Sequence, residues 1–105
     1  MKTLSKAEEE AKKKLGPWGL LAEKHWREHR PNMVRELEKR GILYRSLLRA
    51  EKNAENMCIQ LTNELPKKGV PSGLAAAMAR SQALREYILL PSEEDVPLLG
   101  ESPER

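Results

Sequence analysis

The segment His25-Trp26-Arg27-Glu28-His29 has the spacing of an inverted zinc-peptidase motif, H-x-x-E-H. On a helix, His25 and His29 lie one turn apart and could share a metal, with Glu28 beside them as a general base. A catalytic zinc needs a third protein ligand. With only two histidines and one cysteine in the chain, no further cluster supplies it, and Pro31 ends the helix just past His29. The two histidines are therefore read as helix-terminal side chains meeting local carbonyls, and no metal is expected. Cys58 lies midway along the longest uninterrupted stretch, between Met57 and Ile59. It lacks the cationic, helix-N-terminal setting that lowers a thiol's pKa, so it reads as a small core or seam residue. Gly16-Pro17-Trp18-Gly19 and Gly69–Gly73 lack the spacing of a phosphate-binding loop. No catalytic residue is assigned, no cofactor or small-molecule substrate is expected, and the chain is read as a non-enzyme.

The basic residues suggest binding instead. Lys24, Arg27, Arg30, Arg35, Lys39, Arg40, Arg45 and Arg49 outnumber Glu28, Glu36 and Glu38 over the same stretch. Arg45, Arg49 and Lys52 share one face of a helix, away from Leu43 and Leu47. Two short helices joined by a tight turn could place one in a groove of DNA while arginines hold phosphates. Arg27, Arg30, Arg35, Lys39, Arg45 and Arg49 are the candidate phosphate contacts. Pairs such as Glu36–Arg40, four apart, equally suit an ordinary solvated face.

These side chains must be positioned by helices. The chain has 105 residues, 39% apolar and 33% charged, with four aromatics and no Phe, so one small core of Leu, Ile, Met and Ala is expected. A single cysteine excludes an internal disulfide. No apolar run approaches the ~18 residues of a membrane span. The first fourteen residues mix lysines with Glu8, Glu9 and Glu10 and do not read as a secretory signal. A bacterial cytoplasmic location is expected, without a membrane partner. The formal net charge of +3 conceals an asymmetry, because Ser92–Arg105 holds five acids and one base. The body is basic and the tail acidic.

Glycines and prolines divide the chain. Ser5 and Glu8 form a capping-box pair opening a charged helix over Lys6–Lys14, which has little to bury and is expected to fray. Pro17 opens a second helix to His29, with Leu15, Trp18, Ala22 and Trp26 on one stripe. Pro31 opens a third, over Asn32–Arg40, closed by Gly41. The fourth, Ile42–Leu65, carries Leu43, Leu47, Ala50, Ala54, Met57, Leu61 and Leu65 as a heptad-like seam. It would extend about 36 Å, longer than its short neighbours can cover. A fifth helix runs from Pro71 to Leu89, its stripe Leu74, Ala77, Met78, Ser81, Leu84 and Ile88. The expected fold is all-α: two short helices packed on a long helical hairpin. The domain plan is a charged N-terminal helix or arm at 1–14, a helical domain at 15–91 and a disordered acidic tail at 92–105. The uncovered seam suggests a homodimer through Leu43, Leu47, Ala54 and Leu61.

Trp18-Gly19, Glu28-His29-Arg30-Pro31, Leu37, Gly41-Ile42-Leu43, Leu47 and Ala54, continued by Gly69-Val70, Leu74, Ala76, Met78, Glu86 and Ile88, resemble the TnpV-type small proteins encoded in bacterial mobilisable transposons. The resemblance covers about residues 15–90. It implies an accessory protein of a mobile element with DNA as the expected partner. It also makes Glu28-His29-Arg30-Pro31 a family signature, in which Glu28 and Arg30 fix the joint between the second and third helices. The alternative is a protein-binding adaptor or inhibitor acting through the long-helix seam.

Overall fold

Four of the five described helices start at residues whose side chains do not cap them. The computed structural model describes residues 4–93. Its helices are α1 (Lys6–Lys14), α2 (Pro17–His29), α3 (Pro31–Lys39), α4 (Leu43–Glu64) and α5 (Ser72–Ala83). Only α1 has a local side-chain cap, Ser5 Oγ accepting from the Glu8 amide at 3.2 Å. Gly16, Arg30 and Ile42, which precede α2, α3 and α4, supply none. The free N–H groups of these helices bond to carboxylates from remote parts of the chain. Glu8 accepts from the Tyr44 and Arg45 amides at 2.7 and 3.1 Å, at the start of α4. Glu51, in mid-α4, accepts from the Gly16 and Gly19 amides at 2.8 and 3.0 Å, at the start of α2. Glu93 accepts from the Asn32 and Met33 amides at 3.4 and 2.9 Å, at the start of α3.

Glu8 and Glu51 are 1% and 2% exposed. A carboxylate buried that deeply is tolerable only where it is fully hydrogen-bonded, and a helix N-terminus offers both donors and partial positive charge. The reciprocal half of the expected capping box is thus absent, because Glu8 turns away from Ser5 toward α4. Nor is α1 a loose arm: it docks on α4 with Ala11 buried.

The core forms where α4 meets α2, α3 and α5. Ala22, Trp26, Val34, Leu43, Tyr44, Leu47, Ala50 and Ala54 are buried together. Of the residues expected at a homodimer seam, Leu43, Leu47 and Ala54 are covered by the chain's own helices. The longest helix finds enough neighbours because α1 joins the packing. Leu61 stays half-buried in the distal half of α4.

The buried face of α5 differs from the expected one. Leu74 and Met78 are 54% and 43% exposed, while Ala75, Ala79 and Ala83 are fully buried. Small side chains four apart form a flat ridge that can lie close to α4, and close approach decides the rotation of the helix rather than bulk. Leu84–Ile88 then forms a π-helical turn, with the Leu89 amide bonded to the Leu84 carbonyl at 2.6 Å. The extra residue carries the stripe from Ala83 to Ile88 instead of Tyr87. The hairpin turn closes on a 3-10 turn, Leu65–Lys68, and Gly69 at φ 98°. Among the described residues no helix is long and apolar enough to cross a membrane.

Gly19 belongs to this capping arrangement. A Cβ there would lie 3.0 Å from Glu51 Oε1 and 2.7 Å from Leu15 Cδ2. Glu51→Gln replaces one anionic acceptor by an amide that repels the N–H it faces, and should lower unfolding stability by about 2 kcal/mol in urea titration, the scale of a charged hydrogen bond lost in the interior. An unchanged midpoint would show that the carboxylate contributes nothing to α2.

Candidate nucleic-acid interface

The corner between α3 and α4 presents most of the basic side chains singled out in the sequence. It is built by a chain reversal in which Gly41 adopts φ 71°. The Ile42 amide donates to the Leu37 carbonyl and the Gly41 amide to the Glu38 carbonyl, both at 3.0 Å. That pair of bonds closes α3 in a Schellman motif and turns the chain into α4. Beside the corner lies an open groove of about 840 Å3, lined by Leu4 and Glu8 of the N-terminal region, Asn32, Arg35, Glu36, Glu38 and Lys39 of α3, and Gly41, Leu43 and Tyr44. A smaller recess of about 360 Å3 lies between Ile42, Arg45, Ser46 and Arg49.

The six candidate phosphate contacts divide into two groups. Arg27 bonds to Glu23 at 3.0 Å and Glu38 at 3.2 Å, tying α2 to α3. Burial works against its charge, but the bonds to Glu23, Glu38 and Tyr44 prevail and hold its pKa above the ordinary value. Arg30 donates to the Pro91 carbonyl at 2.8 Å. Arg45 bridges Glu8, at 2.8 Å, and the Gly41 carbonyl, also at 2.8 Å. These three arginines hold the fold. Arg35, Lys39 and Arg49 face solvent and have no carboxylate partner among the described residues; Arg35 bonds only Asn32 Oδ1, at 2.9 Å. The acids near them are already engaged: Glu36 with Arg40 at 3.0 Å, Glu38 with Arg27 and Glu8 with Arg45. The corner therefore keeps uncompensated positive charge.

The His-rich segment has a different task. Trp26 Nε1 donates to the Ile88 carbonyl at 2.9 Å, and His25 Nε2 lies 2.8 Å from the Leu90 carbonyl. Because a carbonyl only accepts, that nitrogen carries the proton. The Glu93 amide donates back to the His29 carbonyl at 3.0 Å. Together with Arg30 on Pro91, these bonds strap residues 88–93 along α2 and over the α2–α3 joint. Arg30 fixes that joint, with φ −135° and ψ 56° before Pro31. Glu28 does not: it is exposed, and among the described residues its side chain meets only His29, at 3.9 Å. The His25 and His29 rings lie 4.4 Å apart, and no group of three or more metal-ligating side chains occurs among the described residues. Cys58 is half-buried against the core. The strap also takes in Glu93, the first acid of the expected tail; the rest of that tail lies outside the described residues.

The sequence model of a family described as transposon-encoded protein TnpV matches residues 3–94. The chain belongs to the TnpV family. No curated protein and no solved structure matches it. The TnpV match reaches beyond the segment 15–90 that carries the resemblance, and it takes in both Glu8 and Glu93. Trp18-Gly19 leads α2 where Glu51 caps it, Arg30-Pro31 makes the α2–α3 joint, and Gly41 makes the α3–α4 turn. The acids Glu8, Glu51 and Glu93, which receive the helix N-termini, were not among the candidate residues. Glu51 carried a usable signal, since it stands four residues after Leu47 and so lies on the apolar seam.

Tyr44 links the corner to α2. Its hydroxyl donates to Glu23 Oε2 at 3.0 Å, and Lys12 Nζ sits 5.3 Å above its ring. Burial and the bond to Glu23 raise its pKa above 10. A proton bound more tightly in the folded state gives stability that is complete below the unfolded phenol's pKa and is lost as pH rises through the folded one. Tyrosinate absorbance should therefore show one phenol ionising later than a free tyrosine, and Tyr44→Phe should abolish that late step. A late step that persists in Tyr44→Phe would contradict the assignment.

Proposed function

We propose that this TnpV-family protein is a non-enzymatic accessory protein of a mobile element that binds DNA through the α3–α4 corner. The supporting observation is that Arg35, Lys39 and Arg49 lie around one turn without carboxylate partners among the described residues, while the neighbouring acids are each paired. Side chains of this kind neutralise phosphates and release counterions, and they need no preformed pocket. Arg27, Arg30 and Arg45 support this surface from behind by fixing the helices that carry it. A bacterial cytoplasmic location accords with such a role.

A second reading, a protein-binding adaptor, draws on the distal half of the hairpin. Ile59, Leu74 and Met78 are 62%, 54% and 43% exposed there. Such a surface would bind by apolar contact and respond weakly to salt.

Fluorescence anisotropy with a random-sequence duplex separates the two. Three phosphate contacts imply a roughly 40-fold loss of affinity between about 50 and 200 mM salt. The triple variant Arg35→Glu, Lys39→Glu, Arg49→Glu should abolish binding while circular dichroism shows an unchanged helical content. No binding at tens of micromolar, or equal binding by the triple variant, would remove the DNA reading and leave the distal hairpin as the surface to test.

A further inference from the structure

We propose that the groove between α1, α3 and α4 is the docking site of the chain's own acidic and apolar segment Glu94–Leu99. Three observations converge on this occupant. The first is where the described chain ends. Glu93 is anchored by its carboxylate to the amides of Asn32 and Met33, and Asn32 itself lines the groove. Glu93, the last described residue, therefore lies at the groove's α3 end, held there by two hydrogen bonds of its carboxylate and by its amide on the His29 carbonyl.

The second observation is reach. Nine residues of α3 rise about 13 Å, and six extended residues span up to about 20 Å. Glu94–Leu99 is long enough to run the whole of α3 and reach the corner at Gly41.

The third is chemistry in matching order. The segment reads Glu94-Asp95-Val96-Pro97-Leu98-Leu99, acids first and apolar residues after. Along the groove, Arg35 comes one turn beyond Asn32 with no carboxylate partner among the described residues, and Lys39 follows a turn later. Leu43, Tyr44 and Leu4 supply apolar wall at the far end. The acids that line the groove, Glu8, Glu36 and Glu38, are held by Arg45, Arg40 and Arg27. Pro97 suits an extended strand in a groove because it needs no donor partner.

Docked in this way, the segment covers two of the three cations assigned to DNA and competes with phosphate. The proposal does not depend on that assignment, because it concerns only the chain's contact with itself.

Hydrogen–deuterium exchange on the full chain at low micromolar concentration and about 50 mM salt tests it. Amides in 95–99 should exchange about tenfold more slowly than in the isolated peptide, a closed population near 90%. Arg35→Glu with Lys39→Glu should restore peptide-like exchange at unchanged helical content. Leu98→Asp with Leu99→Asp, which touches none of the described helices, should do the same. Peptide-like exchange in the unaltered chain would overturn the proposal. So would protection that survives both pairs of substitutions, or protection that grows with protein concentration, which would assign the groove to a second copy's segment.

Discussion

The fold depends on carboxylates that sit on helix N-termini far from them in sequence. Glu8 holds the start of α4, Glu51 the start of α2 and Glu93 the start of α3. Each carboxylate alone would be costly to bury, and each uncapped N-terminus would leave donors unsatisfied. Brought together, the two costs cancel and the contact also specifies position, because a carboxylate meets two amides only in one orientation. Through these contacts α1 is tied to α4, α4 to α2, and the strap to α3. A chain with a small aliphatic core and no disulfide obtains a defined arrangement from these few directed bonds.

Packing against α4 follows from the same economy of side-chain size. Ala75, Ala79 and Ala83 let α5 approach α4 closely, and the π-turn then presents Ile88 to the core. The Ile88 carbonyl lands on the Trp26 indole, and from there the chain runs over α2. His25, Trp26 and Arg30 act as donors to successive carbonyls of this strap. Of the three residues spaced like a zinc motif, His25 bonds this strap through its side chain, whereas the side chains of Glu28 and His29 are exposed.

The helices themselves were legible because their boundaries are local. Pro17, Pro31, Gly41, Pro66, Gly69 and Pro71 act on their own backbone, and five helices appear where these residues permit them. Less legible was everything that depends on partners distant in sequence. Glu8 was read as half of a capping box and α1 as an arm, since nothing within a few residues shows that α4 begins with unsatisfied amides. The face of α5 was assigned to its bulkiest residues, although alanines allow the closer contact. The basic corner was half legible: charge marked all six residues, but only the geometry separates Arg27, Arg30 and Arg45, which are bound within the fold, from Arg35, Lys39 and Arg49, which face solvent.

That separation follows from the capping scheme. Glu8 is fixed by two amides of α4, so its remaining capacity falls to the one cation that can reach it, Arg45. Glu38 is likewise drawn to Arg27 by the packing of α2 on α3. The acids that could have neutralised the corner are committed to structure, and the charge left over belongs to residues with no structural duty. Positive charge at the α3–α4 turn is therefore a consequence of how the helices are held. Glu93 is committed to structure in the same way, since its carboxylate receives the amides that open α3. Helix α3 is thus held at its start by a carboxylate and at its end by the Gly41 turn, and between them it carries Arg35 and Lys39 without a carboxylate partner among the described residues.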